Sequence, residues 1–266
     1  MLEIKKITCG YDNKFFLKEI SFNLLDKEIV GIIGPNGSGK TTLLRAITKI
    51  IKLHKGDIFF RGKNIDEMCF KELAGNIAVV SQFVEPVSNI TVEEYVLLGR
   101  IPYRKPFQFF ESKSDEKIVK EAMELTDTLR FKDRFVHQLS GGERQLVSIA
   151  RAIAQQPKLW LLDEPISHLD ISHQVRILDL IKKLNKQTEL SVLIVLHDLN
   201  LAGEYCDRLV LMNNGCIHKI GVPENVLEYK TIEDVYKTVV VVEKNPISSK
   251  PYVFIVSKEA MAARKK

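Results

Sequence analysis

The sequence predicts an α/β fold, a largely parallel sheet covered by helices on both faces. Three observations carry that reading. Short apolar runs suited to buried strands alternate with segments whose apolar residues recur at helical spacing. A glycine-rich loop stands between one such run and one such helix. The alternation is interrupted once, by a mostly helical stretch from about residue 90 to 156, which marks a separate helical lobe. With 266 residues, 45% hydrophobic and 27% charged, the chain is long enough for one large domain plus a small lobe.

Taken in order, Leu2 to Thr8 and Ile20 to Leu24 read as alternating strands. Ile29 to Ile33 is a short apolar run that suits a buried parallel strand. Leu43, Leu44, Ile47, Ile50 and Ile51 then recur at helical spacing. Ile58-Phe59-Phe60 followed by Gly62 signals a hairpin over residues 57 to 65. Ile77 to Ser81 is a further short buried strand. Thr91-Val92-Glu93-Glu94 is a capping box that opens a helix through Leu98. Ile101 to Phe110, with two prolines and four aromatics, reads as a loop. Asp115 to Leu125 is a helix. Ser140-Gly141-Gly142-Glu143 again has the capping-box form, and Leu146, Val147, Ala150, Ile153 and Ala154 share one face of the helix that Pro157 ends. Leu159 to Leu162, Val192 to Leu196 and Leu209 to Met212 read as strands, and Val175 to Leu184 and Leu199 to Cys206 as helices. From Thr231 the pattern changes. Thr238 to Val242 and Tyr252 to Val256 are β-rich and suggest an appended hairpin.

The loop itself reads Gly34-Pro35-Asn36-Gly37-Ser38-Gly39-Lys40-Thr41-Thr42, which fits Gly-x-x-x-x-Gly-Lys-Ser/Thr in the strand–loop–helix setting that this motif needs. The pattern implies a nucleoside triphosphate with Mg²⁺. Glycines let successive backbone N–H groups face the phosphates, and the helix start adds positive potential. Lys40 reaches the β- and γ-phosphates, and the Thr41 hydroxyl ligates Mg²⁺. Read by itself, the loop is also an ordinary glycine turn before a helix.

Two later features narrow the chemistry. Leu159 to Leu162 ends in Asp163-Glu164, and a strand that ends in Asp puts a carboxylate at the sheet edge where such folds bind ligands. Asp163 suits Mg²⁺, through water, and Glu164 suits a general base that polarises the attacking water. The second feature is Leu139-Ser140-Gly141-Gly142-Glu143-Arg144-Gln145, where a serine and two glycines at a helix start form another anion site. One nucleotide hardly needs two such helix starts.

Residues 139 to 145 resemble the signature motif of the ATP-binding cassette (ABC) ATPases, and the resemblance runs through motif order and spacing from residue 1 to about 230. It implies a P-loop (RecA-like) core with an antiparallel β subdomain and an inserted α-helical subdomain at about 90–156. Residues 231–266 are then a short C-terminal β-rich extension. It further implies that Ser140, Gly141 and Gly142 bind the γ-phosphate of ATP held by a second copy, in a head-to-tail homodimer closing over two ATPs. By the same resemblance Tyr11 stacks on adenine, Gln82 contacts Mg²⁺ and the attacking water, and Ser167-His168-Leu169-Asp170 forms the loop between the two sites. His197 contacts the γ-phosphate. Each residue has a plainer reading: Tyr11 as a loop aromatic, Gln82 as a strand-end polar group, His197 as a capping histidine. His168 departs from the small residue that the family often carries there.

Val92 to Tyr103, Leu169 to Gln174 and the tail with Glu233-Asp234-Val235-Tyr236 are similar to the ATPases of importers for iron-siderophores, haem and cobalamin. That likeness implies an ATP-hydrolysing motor at the cytoplasmic face of the membrane, working on two integral membrane permease subunits and, through them, on a substrate-binding protein. The alternative is a soluble cassette ATPase of the iron–sulfur cluster assembly type. The net charge of +5 is interspersed and reads as a solvated mixed surface, so no nucleic-acid partner is expected. Cys9, Cys69, Cys206 and Cys216 lack paired spacing and read as reduced thiols. The first residues do not resemble a signal peptide, and no apolar run approaches the ~18 residues of a membrane span.

Overall fold

The computed structural model describes residues 1–11, 15–81, 89–105, 112–167, 169–257 and 259. The first elements are β1 (Leu2–Tyr11), β2 (Phe15–Leu24), β3 (Ile29–Ile33), α1 (Lys40–Ile47), β4 (Lys55–Phe60) and β5 (Lys63–Asn64). Next come α2 (Phe70–Asn76), β6 (Ile77–Val80), α3 (Val92–Leu97), α4 (Lys113–Leu125), α5 (Gly141–Ala154), β7 (Leu159–Asp163), α6 (Ile171–Gln187) and β8 (Ser191–Val195). The chain continues through α7 (Leu199–Tyr205), β9 (Arg208–Asn213), β10 (Cys216–Gly221), α8 (Pro223–Val226), α9 (Tyr229–Tyr236), β11 (Val240–Lys244) and β12 (Pro251–Ile255). Two compact units result: Met1–Ile65 with Leu193–Lys266, and Asp66–Val192.

The first unit holds an antiparallel sheet in the order β2-β1-β4-β5. Leu2 and Ile4 of β1 are buried and alternate with exposed Glu3 and Lys5, the period of two that a half-buried strand requires. Exposed Lys5 and Lys6 then follow one another, and the register to β2 shifts between Ile4 and Ile7. This bulge returns Ile7 to the core face. In a second sheet of this unit the strand order is β10-β9-β3-β8. β3 runs parallel to β9, with Val30 opposite Arg208 and Ile33 opposite Leu211. All five β3 residues are buried, as an interior parallel strand demands. β9 and β10 form a hairpin whose two-residue turn, Asn214-Gly215, has φ of 48° and 77°. Asn-Gly supplies both positive φ values at low cost.

In the second unit β6 and β7 pair in parallel, with Ile77 opposite Leu159 and Val80 opposite Leu162. The α3, α4 and α5 helices pack around Val92, Tyr95, Val96, Val119, Met123, Val147 and Ala150. Full burial of each of the valine and methionine side chains among them contributes roughly 1.5–3 kcal/mol. Arg100 is buried at the edge of this lobe. It donates to Asp115 at 2.8 Å and to the Ala154 carbonyl at 2.8 Å, and its guanidinium lies 4.0 Å over the Tyr103 ring. Both capping boxes read from the sequence are present, at Thr91–Glu94 and Ser140–Glu143.

Several elements depart from the sequence expectation. The helix after the glycine-rich loop stops at Ile47; Lys49 turns to φ 61°, and Ile50 is 72% exposed. The strand from Ile77 ends at Val80, and its Val79 is 37% exposed. Part of the loop expected from Ile101 is a 3₁₀ turn over Leu98–Tyr103, and 106–111 lies outside the described residues. The tail opens with α9, not with a strand, and its Thr231, Ile232 and Val235 face inward. The hairpin β11–β12 then follows, pairing Val240 with Ile255. Among the described residues no helix is long and apolar enough to cross a membrane.

Candidate functional site

The glycine-rich loop joins β3 to α1 within the first unit. Gly34 sits at φ 145°, and a Cβ there would stand 2.2 Å from the Met212 carbonyl oxygen of β9. No side chain fits. Gly39 takes the left-handed conformation at the N-cap of α1; no side chain caps this helix, and its first turn has no acidic residue. The Lys40 ammonium is buried and folds back over the loop, donating to the Gly34 carbonyl at 2.9 Å and the Pro35 carbonyl at 3.0 Å. Ser38 is buried and its hydroxyl has no hydrogen-bond partner. Thr42 is buried, Thr41 half-buried, and Asn36 and Gly37 exposed. A buried donor without an acceptor is rare and costly. An uncapped helix start, an ammonium and an orphan hydroxyl are the donor set that a polyphosphate satisfies.

Neighbouring elements brace the loop from behind. The Gly215 N–H of the β9–β10 turn donates to the Ser38 carbonyl at 3.1 Å. Tyr236 of α9 is hydrogen-bonded to the Gly34 backbone, and burial pushes its phenol up to about 12. Tyr11 is 41% exposed and accepts a 2.7 Å hydrogen bond from Arg45 of α1, which fixes its ring beside that helix. The Leu196 N–H donates to the Ile32 carbonyl at 3.1 Å, so the chain leaves β8 alongside the end of β3. His197 follows and is exposed.

The second unit carries the carboxylates and the other helix start. β7 buries Leu159 to Leu162 and brings Asp163 to its end, half-buried. Glu164 adopts φ 52°, a conformation uncommon outside glycine, and its carbonyl accepts from the Ser167 N–H at 3.2 Å and hydroxyl at 3.0 Å. At the start of α5 the Ser140 hydroxyl accepts from the Glu143 N–H, and Glu143 accepts from the Ser140 N–H at 2.8 Å. That N–H holds the Glu143 carboxyl below its usual range. Gly142 lies against the His173 ring, whose Cδ2 would be 3.4 Å from a Cβ there. His173 and Asp170 pair at 2.9 Å. The Asp170 carboxyl is pulled down to about 2, first by the His173 backbone N–H, then by the Ser172 hydroxyl and the His173 ring.

Of the residues expected from sequence, Tyr11, Gly34 to Thr42 and His197 thus belong to the first unit, and Ser140, Gly141, Gly142, Asp163 and Glu164 to the second. Gln82 and His168 lie outside the described residues. Sequence reading missed Arg45, the Asn214-Gly215 brace, Tyr236 and His173. Asn-Gly was a legible hairpin signal; His173 and Tyr236 stand in segments quoted for the family likeness but were given no role at the site, and nothing local pointed to Arg45.

Comparison with known proteins places this arrangement. The family model described as ABC transporter matches residues 17–167, a span that holds the glycine-rich loop, the Ser140 helix start and the Asp163-Glu164 pair. The chain is 38% identical over 254 residues to the uncharacterized ABC transporter ATP-binding protein YvrA of Bacillus subtilis, covering 96% of this chain but only 58% of that protein. It is 36% identical to the petrobactin import ATP-binding protein FpuC of Bacillus anthracis, over 89% of this chain and 86% of that one. The iron(3+)-hydroxamate import ATP-binding protein FhuC of B. subtilis is 34% identical over 94% of this chain and 93% of its own. Among solved structures, a metal-chelate type ABC transporter in an inward-facing conformation matches with a TM-score of 0.85 at 26% identity, over 97% of this chain and 98% of that chain. The dimeric cassette MJ0796 bound to ADP and Pi matches with a TM-score of 0.73 at 28% identity, over 84% of this chain and 99% of that one. Motif order, loop geometry and both kinds of likeness agree: the chain belongs to the ABC transporter family of ATP-binding proteins.

Proposed function

We propose that this chain is the ATP-hydrolysing motor subunit of an importer for iron chelates of the siderophore type. The observation that carries the reading is the donor set of the Gly34–Thr42 loop, an uncapped helix start with Lys40 folded over it and the Ser38 hydroxyl unsatisfied. Import of a chelate rests on the names of FpuC and FhuC, which this chain matches over most of both lengths.

In this reading the backbone N–H groups of the loop, Pro35 having none, cradle the phosphates, and Lys40 leaves the Gly34 and Pro35 carbonyls to bind the β- and γ-oxygens. Tyr11, held by Arg45, stacks on the base. Thr41, Gln82 and Asp163 are the residues that would hold Mg²⁺, which neutralises phosphate charge when bound. Glu164 takes a proton from the attacking water, a role worth roughly 10²–10⁴ in rate, and His197 steadies the γ-phosphate. Ser140, Gly141 and Gly142 address the ATP of a second copy, so the working form is a head-to-tail homodimer. Its closing and opening move two membrane permease subunits, and a substrate-binding protein delivers the chelate. That arrangement puts the chain at the cytoplasmic face of the membrane.

Affinity purification of the tagged chain from gently solubilised membranes tests the reading. Recovery of polytopic membrane subunits supports it. Recovery of soluble iron–sulfur assembly partners instead would replace it with the scaffold ATPase.

A further inference from the structure

Within the first unit the C-terminal segment is tied down along its length. Lys219 of β10 donates to Glu228 at 2.8 Å and to the Thr231 hydroxyl at 3.3 Å, which seats α9 beside β10. Thr231, Ile232 and Val235 of α9 are buried. After the helix Lys237 turns to φ 55°, and the Val240 N–H at the start of β11 donates back to Glu233 at 3.2 Å. The hairpin is pinned in turn to α7. Asn200 accepts from the Val253 N–H at 2.7 Å and donates to the Val253 carbonyl at 3.3 Å, and the Ser248 hydroxyl donates to Glu204 at 2.6 Å. A segment held this firmly fixes its side chains. Tyr236, the last residue of α9, is half-buried, and its phenol is hydrogen-bonded to the Gly34 backbone. Burial keeps that phenol protonated at neutral pH.

Gly34 is where the glycine-rich loop leaves β3, and three groups converge on it. The Met212 carbonyl of β9 crowds the place of a side chain, Lys40 donates to the Gly34 carbonyl at 2.9 Å, and Tyr236 holds its backbone. Of these, only Tyr236 comes from the C-terminal segment. We propose that Tyr236 is a positioning residue of the nucleotide site: its hydroxyl fixes the Gly34 backbone in the conformation that receives ATP, so the C-terminal segment sets the affinity of a loop remote from it in sequence. The inference rests on the proposed function in one respect, that the Gly34–Thr42 loop binds ATP. A loop held before its ligand arrives spares the ligand the cost of ordering it. The hydroxyl contacts loop backbone and not a reacting group, so its loss falls on binding and leaves the chemical step alone.

Calorimetry of ATP binding to the full chain and to Tyr236→Phe, which keeps the ring and removes the hydroxyl, tests the proposal. The Kd for ATP is expected to rise about fivefold, the value of one hydrogen bond. In steady-state hydrolysis KM rises with it, while kcat stays within about twofold. Ile232→Val separates positioning from loosening, because it trims a buried side chain of the same helix and leaves the hydroxyl in place. It should lower the denaturant midpoint and leave the ATP Kd within about twofold. An unchanged Kd in Tyr236→Phe, a fall in kcat at constant KM, or an equal rise of Kd in Ile232→Val overturns the proposal. A wild-type chain that does not bind ATP refutes the proposed function and this inference with it; ATP binding indifferent to Tyr236 refutes the inference alone.

Discussion

The helix starts of α1 and α5 both carry glycines, yet they are built in opposite ways. At α1 the N-cap is Gly39, without a capping side chain and without an acid in the first turn. At α5 the N-cap is Ser140, locked reciprocally to Glu143. Every helix start presents backbone donors that need acceptors. α1 has no side chain that supplies them, and Lys40 adds a buried positive charge. α5 satisfies part of its own set and places a carboxylate beside it, so it is a weaker anion seat when alone. The difference teaches which site leads. The Gly34–Thr42 loop can hold a triphosphate by itself. In the proposed function the Ser140–Gly142 turn completes a site that something else has filled.

The largest expected effect comes from the buried ammonium folded over the start of α1. Lys40→Ala should lower hydrolysis at least ~100-fold, the scale of losing one preorganised cation at a phosphoryl group; phosphate release measures it, and undiminished turnover would break the contrast. Making α1 resemble α5 comes next. Gly39→Asp adds a carboxylate and a left-handed strain of ~1–2 kcal/mol, and should weaken ATP binding more than tenfold by calorimetry. Ser140→Ala is smaller: loss of the cap costs about 1 kcal/mol in a denaturant midpoint, while ATP affinity of the single chain stays as it was. A matching loss of that affinity would mean the two helix starts are not distinct in role. Smallest is a titration at the start of α6. Asp170 has a folded value of about 2, below its ordinary 3.8. Its cap is complete above about pH 4 and is lost as pH falls through about 2. A carboxyl-carbon NMR midpoint near 3.8 would show that the cap does not form.

Legibility in the sequence followed the range of the interactions. The α/β class, the β9 and β7 strands and both capping boxes were readable, because burial and capping are written within a few residues. The end of α1 was not: Ile50 continues the apolar spacing, but the turn through Lys49 exposes it. α9 was hidden because its apolar face is short and lies against a β-rich tail. At the site, Gly34 to Thr42, Ser140 to Gly142, Asp163 and Glu164 were legible as motifs. Arg45 beneath Tyr11 and Tyr236 behind Gly34 were not, since each acts across more than thirty residues of chain.

The central claim is that the Ser140–Gly142 turn completes a site whose ATP sits in a second copy. Sedimentation of Glu164→Gln, with and without saturating ATP, tests it most directly. With ATP the protein should run at twice the 30.4 kDa of one chain, and adding Gly142→Asp should return it to single-chain mass. An ATP-loaded Glu164→Gln chain that stays single would contradict the account.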